Sequence, residues 1–297
     1  MRVAYYPGCT VKSTAKCFED SSIAAMSALG VELVELPRWN CCGTVHALAK
    51  DDVIHYMAPT RILSRVEEMN EHGVLHDEFR LTTVCAMCYN TLKRANAVVK
   101  PDHERLEKLH STMERDPPYK GKTQVVHLLE LIRDNSAVKT TNRVMNPLKS
   151  LRVASYYGCL LLRPRDIALD KPENPRIMDE LITDLGAENV YMPYSTRCCG
   201  AYHTVTRKDI VVESAHRILT QARGMGAELV SVVCPLCSYN LCERQEDVMK
   251  DHPQFKKIPV VYFTQLMALA FGLGENGCRF SENYIDPRPL LSEKGLI

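Results

Sequence analysis

The sequence predicts an α/β protein made of two similar halves, each with a parallel sheet flanked by helices. Short runs rich in β-branched and aromatic residues alternate with longer amphipathic stretches along the chain of 297 residues. Strands that are separated by helices form parallel, right-handed βαβ units. One order of sequence motifs also occurs twice, which indicates an internal repeat. We therefore predict two tandem, pseudo-symmetric Rossmann-like domains with parallel sheets, covering residues 1–145 and 146–297.

The first half is predicted to contain four strands, each followed by a helix. The strands are expected at 2–6, 31–36, 80–84 and 124–127. The helices are expected at 13–29, 46–69, 90–99 and 128–134, with Asn90 as a helix-start residue. Residues 100–122 are polar and include Pro117-Pro118, so they are predicted to form a solvated insertion that the second half lacks.

The second half is predicted to repeat this order after a polar linker at 133–150. The strands are expected at 151–157, 188–193, 228–233 and 259–263. The helices are expected at 176–186, 203–224, 239–249 and 264–271. The segment after Gly272 is rich in Gly, Asn and Pro, and we expect it to be extended and to lie across another surface.

Ten of the 13 cysteines carry the repeat. Each half has a single cysteine, an adjacent pair and a Cys-x-x-Cys motif, in that order. The first set is Cys9, Cys41, Cys42, Cys85 and Cys88, and the second set is Cys159, Cys198, Cys199, Cys234 and Cys237. Flanking residues match as well, since Arg2-Val-Ala-Tyr-Tyr-Pro-Gly-Cys9 corresponds to Arg152-Val-Ala-Ser-Tyr-Tyr-Gly-Cys159. Three further cysteines lie outside the repeat and are expected to behave as small buried apolar side chains, namely Cys17, Cys242 and Cys278.

Every motif of the repeat follows a predicted strand. Ligands of open α/β sheets bind beyond the carboxyl ends of the strands, where the loops converge. Three segments can therefore bring five thiols to one point in each half. Gly43 and Gly200 follow the cysteine pairs and are expected to form tight turns, in which the backbone approaches a metal cluster and its N–H groups bond sulfur. The sequence thus predicts two metal sites.

The fifth thiol of each set bears on the choice of metal. Four thiolates can hold a structural zinc ion in tetrahedral geometry. Zinc has no use for a fifth thiolate, and two adjacent residues rarely both reach one small ion. A larger cluster offers several irons to neighbouring thiolates, and soft thiolate ligands suit iron–sulfur chemistry. We therefore favour iron–sulfur clusters, with zinc as the alternative.

Composition excludes several classes of function. The 37 basic and 36 acidic residues leave a net charge of +1, so the sequence has no excess of positive charge that would indicate nucleic-acid binding. No apolar run approaches the ~20 residues of a membrane helix, and the N-terminal residues lack the pattern of a signal peptide. We expect a cytoplasmic protein without direct membrane insertion. In a reducing compartment, cysteine clusters bind metals or carry out redox chemistry rather than form structural disulfides.

The doubled pattern of one cysteine, Cys-Cys-Gly and Cys-x-x-Cys resembles the CCG-domain family, and the resemblance covers residues 1–271. The run Cys159-Leu-Leu-Leu-Arg-Pro-Arg165, followed by Glu173-Asn-Pro-Arg-Ile-Met-Asp179, is similar to the B subunits of heterodisulfide reductases in particular. This resemblance implies one noncubane [4Fe–4S] cluster in each half, bound by its five cysteines, with a substrate disulfide between the clusters. It also implies assembly with the two other heterodisulfide reductase subunits, one that contains flavin and one that carries cubane iron–sulfur clusters.

A reaction follows from the doubled site. Cleaving a disulfide takes two electrons, whereas one iron–sulfur cluster ordinarily transfers one. Two facing clusters can each give one electron and each capture one sulfur as a thiolate. The chain would then reduce a disulfide to two thiols, and the resemblance implies that this disulfide is that of coenzyme M and coenzyme B or a related one. The alternative is an electron-transfer subunit of a lactate, glycolate or quinone-linked oxidoreductase, but a relay needs only one intact cluster.

Four other side chains are candidates for the same site. His46 and His203 each lie four residues after the second cysteine of a pair, and either proton donation to a product thiolate or a hydrogen bond to cluster sulfur fits that position. The alternative is a histidine that only packs a helix. Arg163 and Arg165 are placed to bind an anionic substrate group such as sulfonate or phosphate, although solvated loop arginines are commoner.

Overall fold

The computed structural model describes residues 1–44, 53–75, 79–113, 115–134 and 139–297. Four strands belong to the first half: β1 (Arg2–Tyr5), β2 (Glu32–Glu35), β3 (Arg80–Thr83) and β4 (Gln124–His127). Four belong to the second half: β5 (Arg152–Tyr156), β6 (Glu188–Val190), β7 (Leu229–Val232) and β8 (Val260–Tyr262). All eight lie within the predicted ranges.

The strands form two four-stranded sheets in which every pairing is parallel. The strand order is β2-β1-β3-β4 in the first sheet and β6-β5-β7-β8 in the second. The order and direction are thus the same in both halves, which confirms the predicted fold class. Strands β5, β7 and β8 are almost wholly buried, as expected where helices cover both faces of a parallel sheet.

Helices fill the connections between the strands. The first half contains α1 (Cys9–Lys12), α2 (Lys16–Ala28), α3 (Ile54–Glu71), α4 (Ala86–Val99), α5 (His103–Thr112) and α6 (Leu128–Asp134). The second half contains α7 (Ile177–Asp184), α8 (Lys208–Gly224), α9 (Pro235–Cys242), α10 (Gln245–Asp251), α11 (Phe263–Ala270), α12 (Gly274–Cys278) and α13 (Arg288–Glu293). Short 3₁₀ turns occur at 140–143, 165–167, 201–203 and 280–282.

Four predicted segments differ from the structure, and one of them is the helix predicted at 239–249, which is divided into α9 and α10. Helix α4 begins at Ala86, four residues earlier than predicted, so Asn90 lies inside it and not at its start. The insertion at 100–122 contains α5, which is capped by the Asp102 side chain accepting a hydrogen bond from the Arg105 N–H, and which buries Leu109. The segment after Gly272 forms α12, α13 and a 3₁₀ turn instead of an extended tail.

The two halves pack through corresponding elements. Helix α2 of the first half contacts α11 of the second, and α6 contacts α7. Because α11 corresponds to α6, and α7 to α2, the interface is approximately two-fold symmetric. At its centre the rings of Phe18 and Tyr262 are stacked with centroids 4.0 Å apart, and the hydroxyls of Ser21 and Thr264 are 2.7 Å apart. No helix in the described ranges is both long and apolar enough to cross a bilayer.

Candidate metal centres

The first set of cysteines gathers at the carboxyl ends of β1, β2 and β3. Cys9 begins α1, Cys41 and Cys42 lie on the loop after β2, and Cys85 caps α4, which carries Cys88 in its first turn. The Sγ atoms of Cys9 and Cys41 are 3.8 Å apart, and those of Cys42 and Cys88 are 3.6 Å apart. Cys88 is also hydrogen-bonded to Cys85. Three chain segments therefore supply five neighbouring thiols.

The second set repeats this arrangement at β5, β6 and β7. Cys159 is hydrogen-bonded to Cys198, as Cys9 is paired with Cys41. The Sγ atoms of Cys199 and Cys237 are 3.6 Å apart, and Cys237 is hydrogen-bonded to Cys234. In each half the single cysteine thus meets the first member of the pair, and the second member meets the Cys-x-x-Cys motif.

Each site has a buried side and an open side. Six of the thiols are buried, namely Cys42, Cys85, Cys88, Cys199, Cys234 and Cys237. Cys9, Cys41 and Cys198 are exposed, and Cys159 is half-buried. The Cys-x-x-Cys motifs therefore form the inner wall of each site, and the single cysteine with its partner forms the outer wall.

A glycine before each single cysteine makes room for sulfur. Gly8 has a φ of +76°, and a Cβ at this position would lie 2.9 Å from the Sγ atom of Cys88. Gly158 has a φ of +66°, and its Cβ would lie 3.3 Å from the Sγ atom of Cys237. Both positions need glycine for the left-handed backbone and for the close approach.

The glycines after the cysteine pairs form the predicted tight turns. Gly43 and Gly200 adopt positive φ angles of +77° and +81°, as a tight turn requires. The side chains nearest to an added Cβ are Ala58 and Val211, so these glycines also let α3 and α8 approach the turns closely. One predicted backbone contact is present, because the Gly200 N–H donates to the Cys198 sulfur at 3.3 Å.

A buried tyrosine supports each cysteine pair. The Tyr6 hydroxyl donates to the carbonyl of Asn40 at 2.9 Å, and the Tyr156 hydroxyl donates to the carbonyl of Arg197 at 2.5 Å. Asn40 and Arg197 are the residues directly before the pairs. Burial, together with the neighbouring cysteines, raises the pKa of both tyrosines, so each remains a neutral hydrogen-bond donor.

The two sites meet at the interface between the halves. Cys85 and Cys234, the first cysteines of the two Cys-x-x-Cys motifs, lie close enough for each to shift the pKa of the other. The Ala86 N–H donates to the Val233 carbonyl at 3.2 Å beside them. The sequence analysis did not predict this contact, which places the inner walls of the two sites against one another.

Asn90 also links the halves. Its Nδ2 atom donates to the carbonyls of Leu160 and Arg163, at 2.7 Å and 2.6 Å. Both acceptors lie on the segment that follows Cys159. In the second half, the Asn240 side chain donates instead to the Cys199 carbonyl at 3.3 Å. Each asparagine therefore fixes a segment that carries a cysteine of the second set, a role that its position in the sequence does not reveal.

Hydrogen bonds between thiols divide each set into acidic and less acidic members. The hydrogen bond from Cys159 lowers the pKa of Cys198 to about 5. The hydrogen bond from Cys41 lowers the pKa of Cys42, and the nearby thiols of Cys237 and Cys85 lower that of Cys234. The donor thiols have raised pKa values in return. Neighbouring thiols can therefore all ionise only when a cation compensates their charge.

We expect Cys198 to be alkylated faster than Cys41 in the metal-free chain. Both thiols are exposed, but the pKa of Cys198 is lowered to about 5 and that of Cys41 is raised. Because the thiolate is the nucleophile, the Cys198 rate should stay nearly constant from pH 8 to 6 and fall as the pH drops below about 5. Iodoacetamide labelling with peptide mass spectrometry measures both rates, and equal rates at pH 7 would contradict the assignment.

The other predicted site residues are distributed as follows. His46 lies outside the described residues. His203 is exposed in the 3₁₀ turn at 201–203, close enough to Cys198 for its charge to contribute to the lowered pKa of that thiol. Arg163 donates to the Thr196 carbonyl at 3.2 Å. Arg165 is 77% exposed and pairs with Glu173 at 2.5 Å, so its guanidinium already has an anionic partner.

A narrow cleft lined by residues of both halves lies beyond the two cysteine pairs, and its internal space of about 20 Å³ has room for about one water molecule. Thr44, which follows Cys-Cys-Gly in the first half, lines one side, and Tyr202, which follows it in the second half, lines the other. The Thr44 side chain lies close enough to the Tyr202 hydroxyl to influence its pKa, which burial raises. The wall of the cleft also includes Asn90, Thr91 and Arg94 of α4. Of these residues, only Asn90 had been considered from the sequence, because the cleft exists only where the halves meet.

Comparisons with known proteins place both halves in one family. A model of the CCG cysteine-rich domain matches residues 3–93 and 153–242. The chain is 29% identical over 289 residues to the 8-methylmenaquinol:fumarate reductase membrane anchor subunit of Wolinella succinogenes, covering 97% of this chain and 98% of that one. It is 28% identical over 291 residues to the B subunit of the ferredoxin/F420H2-dependent CoB–CoM heterodisulfide reductase of Methanosarcina acetivorans, covering 96% and 94%.

The fold has a solved counterpart. The crystal structure of a hypothetical protein from Helicobacter pylori matches with a TM-score of 0.76 and 12% sequence identity. The match covers 95% of this chain and 51% of that one, so this chain spans about half the length of the solved protein. At this identity the match supports the two-domain α/β fold alone.

Proposed function

This chain belongs to the CCG cysteine-rich domain family, and on that premise we propose that it holds two iron–sulfur clusters and reduces a small-molecule disulfide to two thiols. The observation that carries the proposal is the hydrogen bond from the Ala86 N–H to the Val233 carbonyl at 3.2 Å, directly beside Cys85 and Cys234. It brings two five-cysteine sites together at one interface, as a reaction that takes two electrons requires.

The spacing of the thiols supports a cluster over a single ion. Four thiolates around one zinc ion, with Zn–S bonds of ~2.3 Å, would lie ~3.8 Å from one another. The sulfurs touch in pairs, such as Cys42 and Cys88 at 3.6 Å. Among the residues that the structure describes, however, no three cysteines have sulfur atoms that all lie within 4.8 Å of one another. A larger cluster with several irons fits this spread.

The five cysteines of each half would hold one noncubane [4Fe–4S] cluster. When bound, two such clusters would supply the two electrons that disulfide reduction takes, one from each. The chain controls access to the clusters from both sides. The buried Cys-x-x-Cys motifs exclude water from the inner side, and the exposed outer cysteines leave a path for a small molecule.

The cleft between the halves is the proposed point of entry for the disulfide, and it would have to widen to admit one because its internal space is only about 20 Å³. Thr44 and Tyr202 lie at its two sides, each two or three residues beyond a cysteine pair. Arg94 lines the cleft and supplies a positive charge for an acidic group of the substrate. His203 and His46 remain the proposed proton donors to the product thiolates, and Arg163 and Arg165 would attract an anionic substrate at the rim.

The proposed partners are proteins that deliver electrons. Relatives over nearly the full chain are named as subunits of reductases, which supports assembly with further chains. We propose one partner that contains flavin and one that carries cubane iron–sulfur clusters, as in the heterodisulfide reductases that the sequence resembles. The cytoplasm is the proposed location of the complex.

The second candidate function is electron transfer without disulfide chemistry. It is favoured by the relative from Wolinella succinogenes, which is named for a menaquinol:fumarate reductase and matches at 29% identity. In that case the chain would pass electrons between a quinone-linked partner and another protein of the complex. The two functions differ in one product, because only the first forms thiols.

The test is reduction of candidate disulfides by the anaerobically purified full chain with reduced methyl viologen as electron donor. We expect two thiols for every two electrons consumed with at least one disulfide of a panel that includes acidic and neutral members. The Cys242→Ala variant serves as the control, since Cys242 is buried and lies outside both sets. Electron transfer to a quinone analogue without thiol formation from any disulfide would favour the second function.

A further inference from the structure

A group of potential metal ligands lies outside both cysteine sets. Glu213 and His216 are one turn apart on α8, and His252 follows α10. Their ligand atoms all lie within 4.8 Å of one another. Within the described ranges this is the only group of three or more His, Cys, Asp or Glu side chains with that property. We propose that these three residues form a second type of metal site, for one divalent ion of the zinc class.

The packing of two helices brings the three potential metal ligands together. The imidazole rings of His216 and His252 are stacked, with centroids 3.6 Å apart and an angle of 12° between their planes. The Nε2 atom of His252 lies 3.9 Å from Oε2 of Glu213. A shared ion requires the rings to turn out of the stack so that their lone pairs converge. Both histidines are only half-buried, so the surrounding structure leaves room for this rotation.

The chemistry of the donors selects the ion. Two imidazole nitrogens and one carboxylate oxygen suit zinc and similar transition-metal ions, and they are poor ligands for calcium or magnesium. Metal binding requires neutral imidazoles. Burial and the neighbouring His252 lower the pKa of His216, so protons compete weakly for this ligand at neutral pH.

Arg217 competes for the carboxylate. Its Nε atom lies 2.5 Å from Oε1 of Glu213 in an exposed i, i+4 ion pair. A bound ion would share Glu213 with this guanidinium and would be repelled by its charge. Removing the charge of Arg217 should therefore strengthen metal binding. If Glu213, His216 and His252 only packed the two helices together, removing this charge would not strengthen metal binding.

The site lies close to the second cysteine set. Glu213 and Arg217 line a cavity of about 260 Å³ whose wall also includes Arg197 and Cys198. Helix α8 packs against the turn of that set, because Val211 fills the space beside Gly200. A bound ion would thus join α8 to α10 and hold the helix that supports the Cys198 turn.

The experiment is zinc binding to the cluster-loaded full chain under anaerobic conditions, measured by buffered zinc titration and by zinc K-edge X-ray absorption. We expect one zinc ion with a shell of nitrogen and oxygen only, since ligands at ~2.0–2.1 Å are distinguishable from sulfur at ~2.3 Å. His216→Ala and His252→Ala should each weaken binding about 10-fold or more. Arg217→Gln should tighten it about two- to fivefold, the range expected for loss of an exposed ion pair.

The exposed His103→Ala serves as the matched control and should bind zinc like the parent chain. Iron and sulfide contents that match the parent would confirm that each variant is folded, and His216→Gln replaces His216→Ala where they do not. Unchanged zinc affinity in both histidine variants, or zinc found only in a sulfur shell, would overturn the proposal. The test depends on no disulfide substrate, so it is independent of the proposed activity.

Discussion

Replacing Cys88 with serine is expected to remove about half of the iron and all disulfide reduction. The Cys88 thiol is buried, lies 3.6 Å from the sulfur of Cys42 and is hydrogen-bonded to Cys85. A serine hydroxyl is a hard ligand that replaces a thiolate at iron poorly. A chain with two [4Fe–4S] clusters holds about eight irons, so the variant should hold about four. One remaining cluster supplies one electron, whereas cleavage of the disulfide takes two.

The matched control for this variant is Cys242→Ala. Cys242 is also a buried cysteine on a helix that follows a Cys-x-x-Cys motif, and burial raises its pKa to about 11, so it stays a thiol. Iron content and thiol formation should match the parent chain. Cys237→Ser should resemble Cys88→Ser, because the two residues occupy the same position in the repeat. Full iron retention in Cys88→Ser, or equal iron loss in Cys242→Ala, would contradict the ligand assignment.

Gly8→Ala is expected to empty the first site without unfolding the chain. The new Cβ would lie 2.9 Å from the Sγ atom of Cys88, on a backbone with a φ of +76°. Either the sulfur or the loop that carries Cys9 must move, and five ligands held by three segments tolerate such a displacement poorly. We expect about half of the iron to be lost, measured together with the thermal unfolding midpoint. Gly158→Ala should have a smaller effect, since its Cβ would lie 3.3 Å from the Cys237 sulfur.

Gly73→Ala separates backbone strain from the contact with sulfur. Gly73 has a similar φ of +69°, but no described atom beyond its neighbours in the chain lies within 4 Å of an added Cβ. The left-handed conformation alone costs an alanine ~1–2 kcal/mol. Gly73→Ala should therefore lower the unfolding midpoint slightly and keep all its iron. Iron loss of equal size in both variants would mean that general destabilisation, and not the distance to Cys88, empties the site.

The strands were predictable because each is a short, strongly β-forming run that occurs in both halves. All eight therefore lie within the predicted ranges. The helix starts were less accurate, since Cys-x-x-Cys was interpreted as a loop. Helix α4 begins at Ala86, inside that motif, and α9 begins at Pro235, a residue that favours the first helical position. Helix α5 was missed although Leu106, Leu109 and Met113 have helical spacing.

The contacts within each site followed from the repeat, but the contacts between the sites did not. The approach of Cys85 to Cys234 depends on how α2 packs on α11 and α6 on α7, and this packing is decided by side chains far apart in the sequence. The cleft and Arg94 were missed for the same reason. The ion pair between Arg165 and Glu173 likewise depends on how two loop residues approach in space.

The most direct test of the proposed function is the electron paramagnetic resonance spectrum of the anaerobic, oxidised chain enriched in ⁵⁷Fe, recorded before and after addition of a disulfide and one electron equivalent. If the disulfide reacts at the iron–sulfur clusters in one-electron steps, a new signal should appear only after the disulfide is added, and ⁵⁷Fe should broaden it. It should be absent from Cys88→Ser and present in Cys242→Ala. A spectrum that is the same with and without every disulfide tested, in a chain that carries its full iron, would contradict the account.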